Sequence, residues 1–322
     1  LGPVLVVQDK CQRTKGDKYR AQGLRAQYKA RRGERLSSYR DRRTEQAWRK
    51  EIVRVCRLLH EKGYVAATDG NVSVRLSKNR VLSTPSGFSK GFLAPEQLVV
   101  TDLEGRKIPS HEPASRDPSG RASGRSLKPT SELLMHLEAY RQRSDIGAVI
   151  HAHPPICVAL SIAGISLARC LLPEVVVTLG LIPTAEYATP SSAEGPQAIR
   201  DLIANHDALV IQRHGTLTVG KDPFDAYLKL EKVEHLAYVT LILRQLGRET
   251  PLPPAEVAKL LRMRRDKGLA REGEEEDFCA SCGVCEVAVG RTPSGPTPEY
   301  NEEELVSLVT HEVLKELGKL RA

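Results

Sequence analysis

The sequence predicts an α/β fold in which helices flank a central mixed or antiparallel sheet, with an extension at each end. Three observations carry this. Short β-rich runs and amphipathic helical runs alternate through the middle of the chain, without the regular βαβ spacing of a doubly wound parallel sheet. With 322 residues, 40% of them apolar, the chain can build a sizeable core and is too apolar to be wholly disordered. Charge is also segregated. Residues 1–50 hold 15 Lys and Arg against 5 Asp and Glu, so the whole chain's +8 divides into +10 in that arm and −2 in the body.

The basic arm, 1–43, has no strong helical period. Two readings stay open for it: a solvated extension, or a tail that binds nucleic acid by counterion release. Leu1–Val7 lacks a basic flank and does not read as a secretory signal. No apolar run approaches the ~18–20 residues that a membrane span requires. Seven cysteines, an odd number without such a signal, point to a reducing, cytoplasmic setting. There Cys11, Cys56, Cys157 and Cys170 would be tail or core thiols.

Ordered pattern begins at residue 44. Trp48, Ile52, Val55, Cys56 and Leu59 recur at helical spacing, and Gly63 closes the run. Strand-like runs follow at Val72–Leu76, Arg80–Ser83 and Leu98–Thr101. Residues 107–127 are rich in Ser, Gly, Pro and Arg and read as a mobile surface loop. A helix is expected from about Pro129–Glu132 towards Arg141, then strands at Ala148–His153 and Ala208–Gln212. Phe224–Leu246 is a long, largely apolar helix and Pro254–Leu269 a basic one. The expected division is therefore a domain over 44–270, a Cys-containing linker over 271–300, and an amphipathic helix over 301–322.

The chemistry concentrates in Val149-Ile150-His151-Ala152-His153-Pro154. Residues i and i+2 of a strand share a face, so both imidazoles enter one space. They form either a metal-binding pair or a packed, hydrogen-bonded pair. His214, in Arg213-His214-Gly215, could complete three histidines with an open position, the pattern of a catalytic zinc site. His60, His111, His206, His235 and His311 lack such partners. Lys128-Pro129-Thr130-Ser131-Glu132 reads as a helix N-terminus, suited to a phosphate. Glu132 there is either a first-turn acid favouring the dipole or a base beside a metal. His136 lies one turn further along the same face. The turns at Gly70-Asn71 and Ser86-Gly87 could join Thr130 and Ser131 in a neutral phosphate cradle.

GNVSVRL, STPSG, KPTSELLMH, DIGAVIHAHP and RHG occur in that order within residues 45–250. In this the chain resembles the class II aldolase/adducin superfamily, and within it the zinc-dependent L-fuculose-1-phosphate aldolases. The resemblance implies one Zn²⁺ per subunit on His151, His153 and His214, with Glu132 as the catalytic glutamate. It implies phosphate binding by Gly70, Asn71, Ser86, Gly87, Thr130 and Ser131. The implied reaction is reversible cleavage of a deoxy-ketose 1-phosphate to dihydroxyacetone phosphate and lactaldehyde through a zinc-stabilised enediolate, in a homotetramer. The related ribulose-phosphate 4-epimerases carry Asp where Glu132 stands, which favours aldol cleavage here. The family's proton-donating tyrosine aligns near Pro173-Glu174, so the general acid is unassigned. An epimerase or dehydratase of the same superfamily, and a non-catalytic adducin-like module, are the alternatives.

Cys279, Cys282 and Cys285 form a C-x2-C-x2-C cluster, read as a second metal site or a redox-labile loop. In Asn301–Leu320, Leu305, Leu308, Val309, Val313, Leu317 and Leu320 make one apolar stripe. This helix either docks on the parent domain or enters a partner's groove. It resembles the encapsulation peptides that direct enzymes to bacterial microcompartment shells.

Overall fold

The computed structural model describes residues 43–109, 127–271 and 274–282. The basic arm up to residue 42, most of the 107–127 loop, Cys285 and the 301–322 helix lie outside the described residues. Helix α1 (Glu45–Glu61) starts where the sequence places it: the Thr44 side chain accepts the Ala47 N–H, and Trp48, Ile52, Val55, Cys56 and Leu59 are buried. Gly63, at φ +70°, ends it by donating to His60 O while Tyr64 donates to Leu59 O.

Seven strands follow: β1 (Asn71–Ser77), β2 (Arg80–Ser83), β3 (Val99–Thr101), β4 (Ala148–Ala152), β5 (Thr184–Ala185), β6 (Ala208–Ile211) and β7 (Gly215–Gly220). Between β3 and β7 the chain forms α2 (Leu133–Gln142), α3 (Pro155–Ile162), α4 (Pro173–Thr178) and α5 (Glu194–Asn205). After β7 come α6 (Pro223–Gln245), α7 (Pro254–Asp266) and α8 (Glu274–Cys282). The strands lie in the order β3-β2-β1-β4-β7-β6-β5, antiparallel throughout except for the β5–β6 pair. This is the mixed sheet flanked by helices that the sequence predicts.

Both faces of the sheet are covered. Val72, Val74, Leu82 and Ile150 pack beneath α1 and the Leu230 segment of α6. Val149, Leu209, Leu217 and Val219 pack on the other face, against Leu133 and Leu137 of α2 and Ile199 and Ile203 of α5. Burial of this kind, at about 25 cal/mol per Å² of apolar surface, is what holds the sheet between its helix layers. None of the described helices is long and apolar enough to cross a membrane.

The C-terminal segment departs from the expected linker. Residues 274–282 form a helix whose Phe278 is fully buried with Val176, Leu181, Val257 and Leu261. One aromatic among acids carries no readable period, which is why the sequence conceals this docking. Cys282 forms a disulfide with Cys170, 112 residues away, so Cys170 is not an isolated thiol. Cys279 is also disulfide-bonded. A three-thiolate metal site needs both as thiolates, so the reading of Cys279, Cys282 and Cys285 as a metal site does not hold in this state. Cys56 and Cys157 are free and buried, as core thiols should be.

Candidate active site

Strand register brings the chemistry together. Asn71 of β1 lies directly opposite His151 of β4, and His151 pairs with Leu217 of β7. His153 follows the last residue of β4. His214 sits in the tight β6–β7 turn, where Arg213 adopts φ +58° and Ile211 faces Gly215. A Cβ on Gly215 would stand 2.4 Å from Ala152 O and 2.7 Å from the His153 ring, so only glycine lets this turn close against β4. The three rings then meet with centroids 4.6–5.0 Å apart.

The donor set suits a metal. All three histidines offer a ring nitrogen, and these atoms lie within 4.8 Å of one another. His151 Nδ1 is 2.9 Å from Thr216 O and must donate to it, which leaves the Nε2 lone pair facing the site. That lone pair lies 2.9 Å from His153 Nε2. Burial lowers the pKa of His151 to about 3, keeping the ring neutral and able to coordinate. A carbonyl-anchored imidazole among two others is a donor set that fits Zn²⁺.

Glu132, at the N-terminal boundary of α2, is placed by its backbone: its N–H reaches Thr130 Oγ1 at 3.4 Å. Its Oε1 is 3.2 Å from His214 Nε2, and its Oε2 is 3.3 Å from His151 Nε2 and 2.9 Å from Asn71 Nδ2. Burial works to raise its pKa. The hydrogen bonds from His214 and Asn71 outweigh that and hold the carboxyl well below the usual carboxylate range.

The six cradle positions come from three segments stitched to each other. Thr84 N donates to Val72 O, Thr130 N to Thr84 O, and Ser86 N to Lys128 O. Gly70, at φ +70°, is packed against Val65 and His151 O, where a Cβ would clash. Ser86, Gly87 and Ser131 face solvent, whereas Gly70, Asn71 and Thr130 are buried. One contributor has no motif to reveal it. Lys90, 1% exposed, donates from Nζ to Thr68 O and Phe88 O, both at 2.6 Å, and so braces the first two loops together. Asp69, whose Oδ2 is 3.7 Å from His153 Nδ1, is equally hidden among turn residues.

Glu174 does not join this site. At the start of α4, it lines a groove with Lys62, Thr178 and Lys232 on the α6 side of the molecule. The small cavity beside Glu132 and His214 is instead walled by Ser131, Leu134, the 188–192 loop and the first turn of α5.

The chain matches the family described as Class II Aldolase and Adducin N-terminal domain over residues 50–241. The L-fuculose phosphate aldolase of Methanococcus maripaludis is 34% identical over 196 residues, covering 61% of this chain and 97% of that protein. A 3-oxo-tetronate 4-phosphate decarboxylase of Escherichia coli is 29% identical over 205 residues, covering 62% of this chain and 89% of that protein. The crystal structure of YgbL, a "putative aldolase/epimerase/decarboxylase" from Escherichia coli, superposes with a TM-score of 0.58 at 28% identity. It covers 68% of this chain and 99% of that one. Helices α7 and α8 lie beyond the family match.

Proposed function

Because the chain belongs to the class II aldolase and adducin family, and is a lyase of that metal-dependent class, we propose that it reversibly cleaves a deoxy-ketose 1-phosphate. L-fuculose 1-phosphate is the leading substrate, with dihydroxyacetone phosphate and lactaldehyde as products. His151, His153 and His214 hold one Zn²⁺, and Gly70, Asn71, Ser86, Gly87, Thr130 and Ser131 receive the phosphate. The reading includes a homotetramer, with residues 301–322 serving as a shell-targeting tail.

The observation that carries it is a carboxylate set between two of the three converging imidazoles. When bound, the ion supplies Lewis-acid polarisation of the substrate's carbonyl and neighbouring hydroxyl oxygens. In the condensation direction Glu132 takes the proton from the hydroxymethyl carbon, and in cleavage it returns it. A carboxylate held low in pKa needs that polarised carbon acid as its partner. The stitched loops fix the phosphate end, so the reacting carbon reaches Glu132 in one orientation.

Similarity to a decarboxylase supports a second reading, since loss of CO₂ next to a carbonyl leaves the same electron pair to be stabilised. Metal analysis with a substrate panel tests both. About one zinc per chain, and dihydroxyacetone phosphate released from L-fuculose 1-phosphate, is the expected result. CO₂ from 3-oxo-tetronate 4-phosphate would move the assignment to decarboxylation, and an epimerised pentulose phosphate to epimerisation. A zinc-loaded protein inert to the whole panel would leave the adducin-like module.

A further inference from the structure

Behind Glu132 and Asn71 runs a chain of buried polar groups that the reaction as described does not use. Asn71 Oδ1 lies 2.5 Å from His136 Nε2. His136 Nδ1 lies 2.7 Å from Ser73 Oγ, which is 2.9 Å from the Tyr140 hydroxyl. His136 and Ser73 are both 0% exposed, so no solvent molecule can replace a missing partner.

Elementary hydrogen-bond rules give this chain one direction. Glu132 is a carboxylate at neutral pH and can only accept, so Asn71 must present its NH₂ to Oε2. The Asn71 carbonyl oxygen then faces His136, whose Nε2 must carry the proton. Burial lowers the His136 pKa to about 4, so the ring is neutral and its Nδ1 is a bare acceptor. Ser73 therefore donates to Nδ1 and accepts from Tyr140. Every group has one role, and reversing any link would set two donors or two acceptors face to face.

We propose that His136 is a positioning residue for the lyase reaction: as its Nε2–H tautomer, set by Ser73, it locks the Asn71 amide in the orientation that aims Glu132. Without it the Asn71 amide can flip and turn its oxygen towards the carboxylate, which repels the base from its working position. The inference rests on Glu132 being the base, as proposed above. It goes beyond that reading by assigning roles to Ser73, His136 and Tyr140, none of which touches substrate. The sequence builds the device from two elements: β1 supplies Asn71 and Ser73 on alternate positions, and α2 supplies His136 and Tyr140 one turn apart.

Two measurements on the full-length, zinc-loaded protein test it. Nitrogen-15 NMR of histidine-labelled wild type, with the His136 signal assigned by its loss in His136→Gln, should show Nε2 protonated and Nδ1 bare. An Nδ1–H tautomer or an imidazolium would overturn the proposal, and this readout is valid even if no sugar phosphate is turned over. Should turnover fail while the tautomer stands, only the functional reading falls. With L-fuculose 1-phosphate as substrate, His136→Leu should lower kcat about 10–100-fold with zinc content unchanged. KM should shift less than about 3-fold, because of the six phosphate-binding positions only the Asn71 amide is disturbed. His136→Gln, whose amide can still donate to Asn71, should restore most of kcat. Unchanged kcat in a folded His136→Leu, or a loss carried by KM alone, would sink the role. If His136→Leu does not fold, Ser73→Ala replaces it, with a smaller fall in kcat and a mixed tautomer expected. Wild-type values for both would overturn the proposal.

Discussion

Two buried polar clusters lie at opposite ends of β4, and they are built on opposite principles. One gathers Arg143, Asp145, Asp207, Lys229 and Arg271. Arg143 donates to Asp145 at 2.6 and 2.9 Å and to Asp207 at 2.9 Å, while Lys229 and Arg271 reach Asp207 at 2.9 and 2.5 Å. Arg143 spends its remaining donor on Ile203 O and His206 O. Each of these contacts joins a donor to an acceptor. The other cluster brings three imidazoles and Glu132 together, with two ring nitrogens 2.9 Å apart and both carboxylate oxygens facing rings. Its members converge on one point, and although His214 and Asn71 donate to Glu132, the bare Nε2 of His151 faces Glu132 Oε2 at 3.3 Å, acceptor against acceptor. A closed network is a structural joint, here tying the C-terminal Arg271 to the core. A converging one is the arrangement that the proposed cation and substrate require.

The contrast is sharpest at its two carboxylates. Glu132→Gln preserves side-chain shape and removes only the ability to take a proton. It should cost about 10²–10⁴-fold in kcat, read from dihydroxyacetone phosphate release, with zinc content and melting temperature close to wild type. Cleavage at the wild-type rate would remove Glu132 from the base role and with it the distinction between the clusters.

At the joint the effect should fall on stability. Asp207→Asn leaves Arg143 and Arg271 with Asp145 alone and Lys229 with the more distant Asp225 at 3.5 Å, a loss of about 3 kcal/mol by urea unfolding, with kcat unaltered. Burial works to raise the Asp207 pKa, but Lys229, Arg271 and Arg143 outweigh it and hold it well below its usual value. A carboxyl depressed in the folded state adds stability above its unfolded pKa of about 3.9 and loses it as pH falls through the folded value. Wild type and variant should therefore differ fully at pH 7 and converge below about pH 4. A gap that persists undiminished at pH 3 would mean that the charge on Asp207 is not what stabilises the joint.

The sequence exposes the two clusters unequally. The His151/His153 pair is legible because strand period 2 forces both to one face, and His214 and Glu132 stand in motifs of small residues. The joint is invisible: Arg143, Asp207 and Arg271 are scattered, and only the β6 register and the C-terminal turn bring them together. The Cys170–Cys282 link is hidden for the same reason, its partners being 112 residues apart. Helices α3 and α4 escape a reading from sequence because each begins on proline, which marks the end of a preceding run and is equally at home in a first helical turn. Strand β7 escapes because it begins at Gly215, directly after a turn too short to separate it from His214. The relay through His136 falls between these cases: its residues sit in legible elements, but their pairing needs β1 laid against α2.

The smallest expected effect is the most discriminating. If the histidine cluster is arranged for a cation rather than for its own stability, removing one ring from it should cost little. Metal-free His153→Gln should then lie within about 1 kcal/mol of metal-free wild type, since it gives up no more than the single 2.9 Å hydrogen bond to His151. Adding zinc should separate the two. Wild type should gain stability by mass action, about 2.7 kcal/mol at a hundredfold excess over Kd, and the two-histidine variant far less at the same concentration. The same pair of titrations on Asp207→Asn should show the reverse: a large deficit without zinc and a wild-type gain with it. A metal-free His153→Gln destabilised as deeply as Asp207→Asn would show that the histidines form a second structural joint, held together by their own hydrogen bonds.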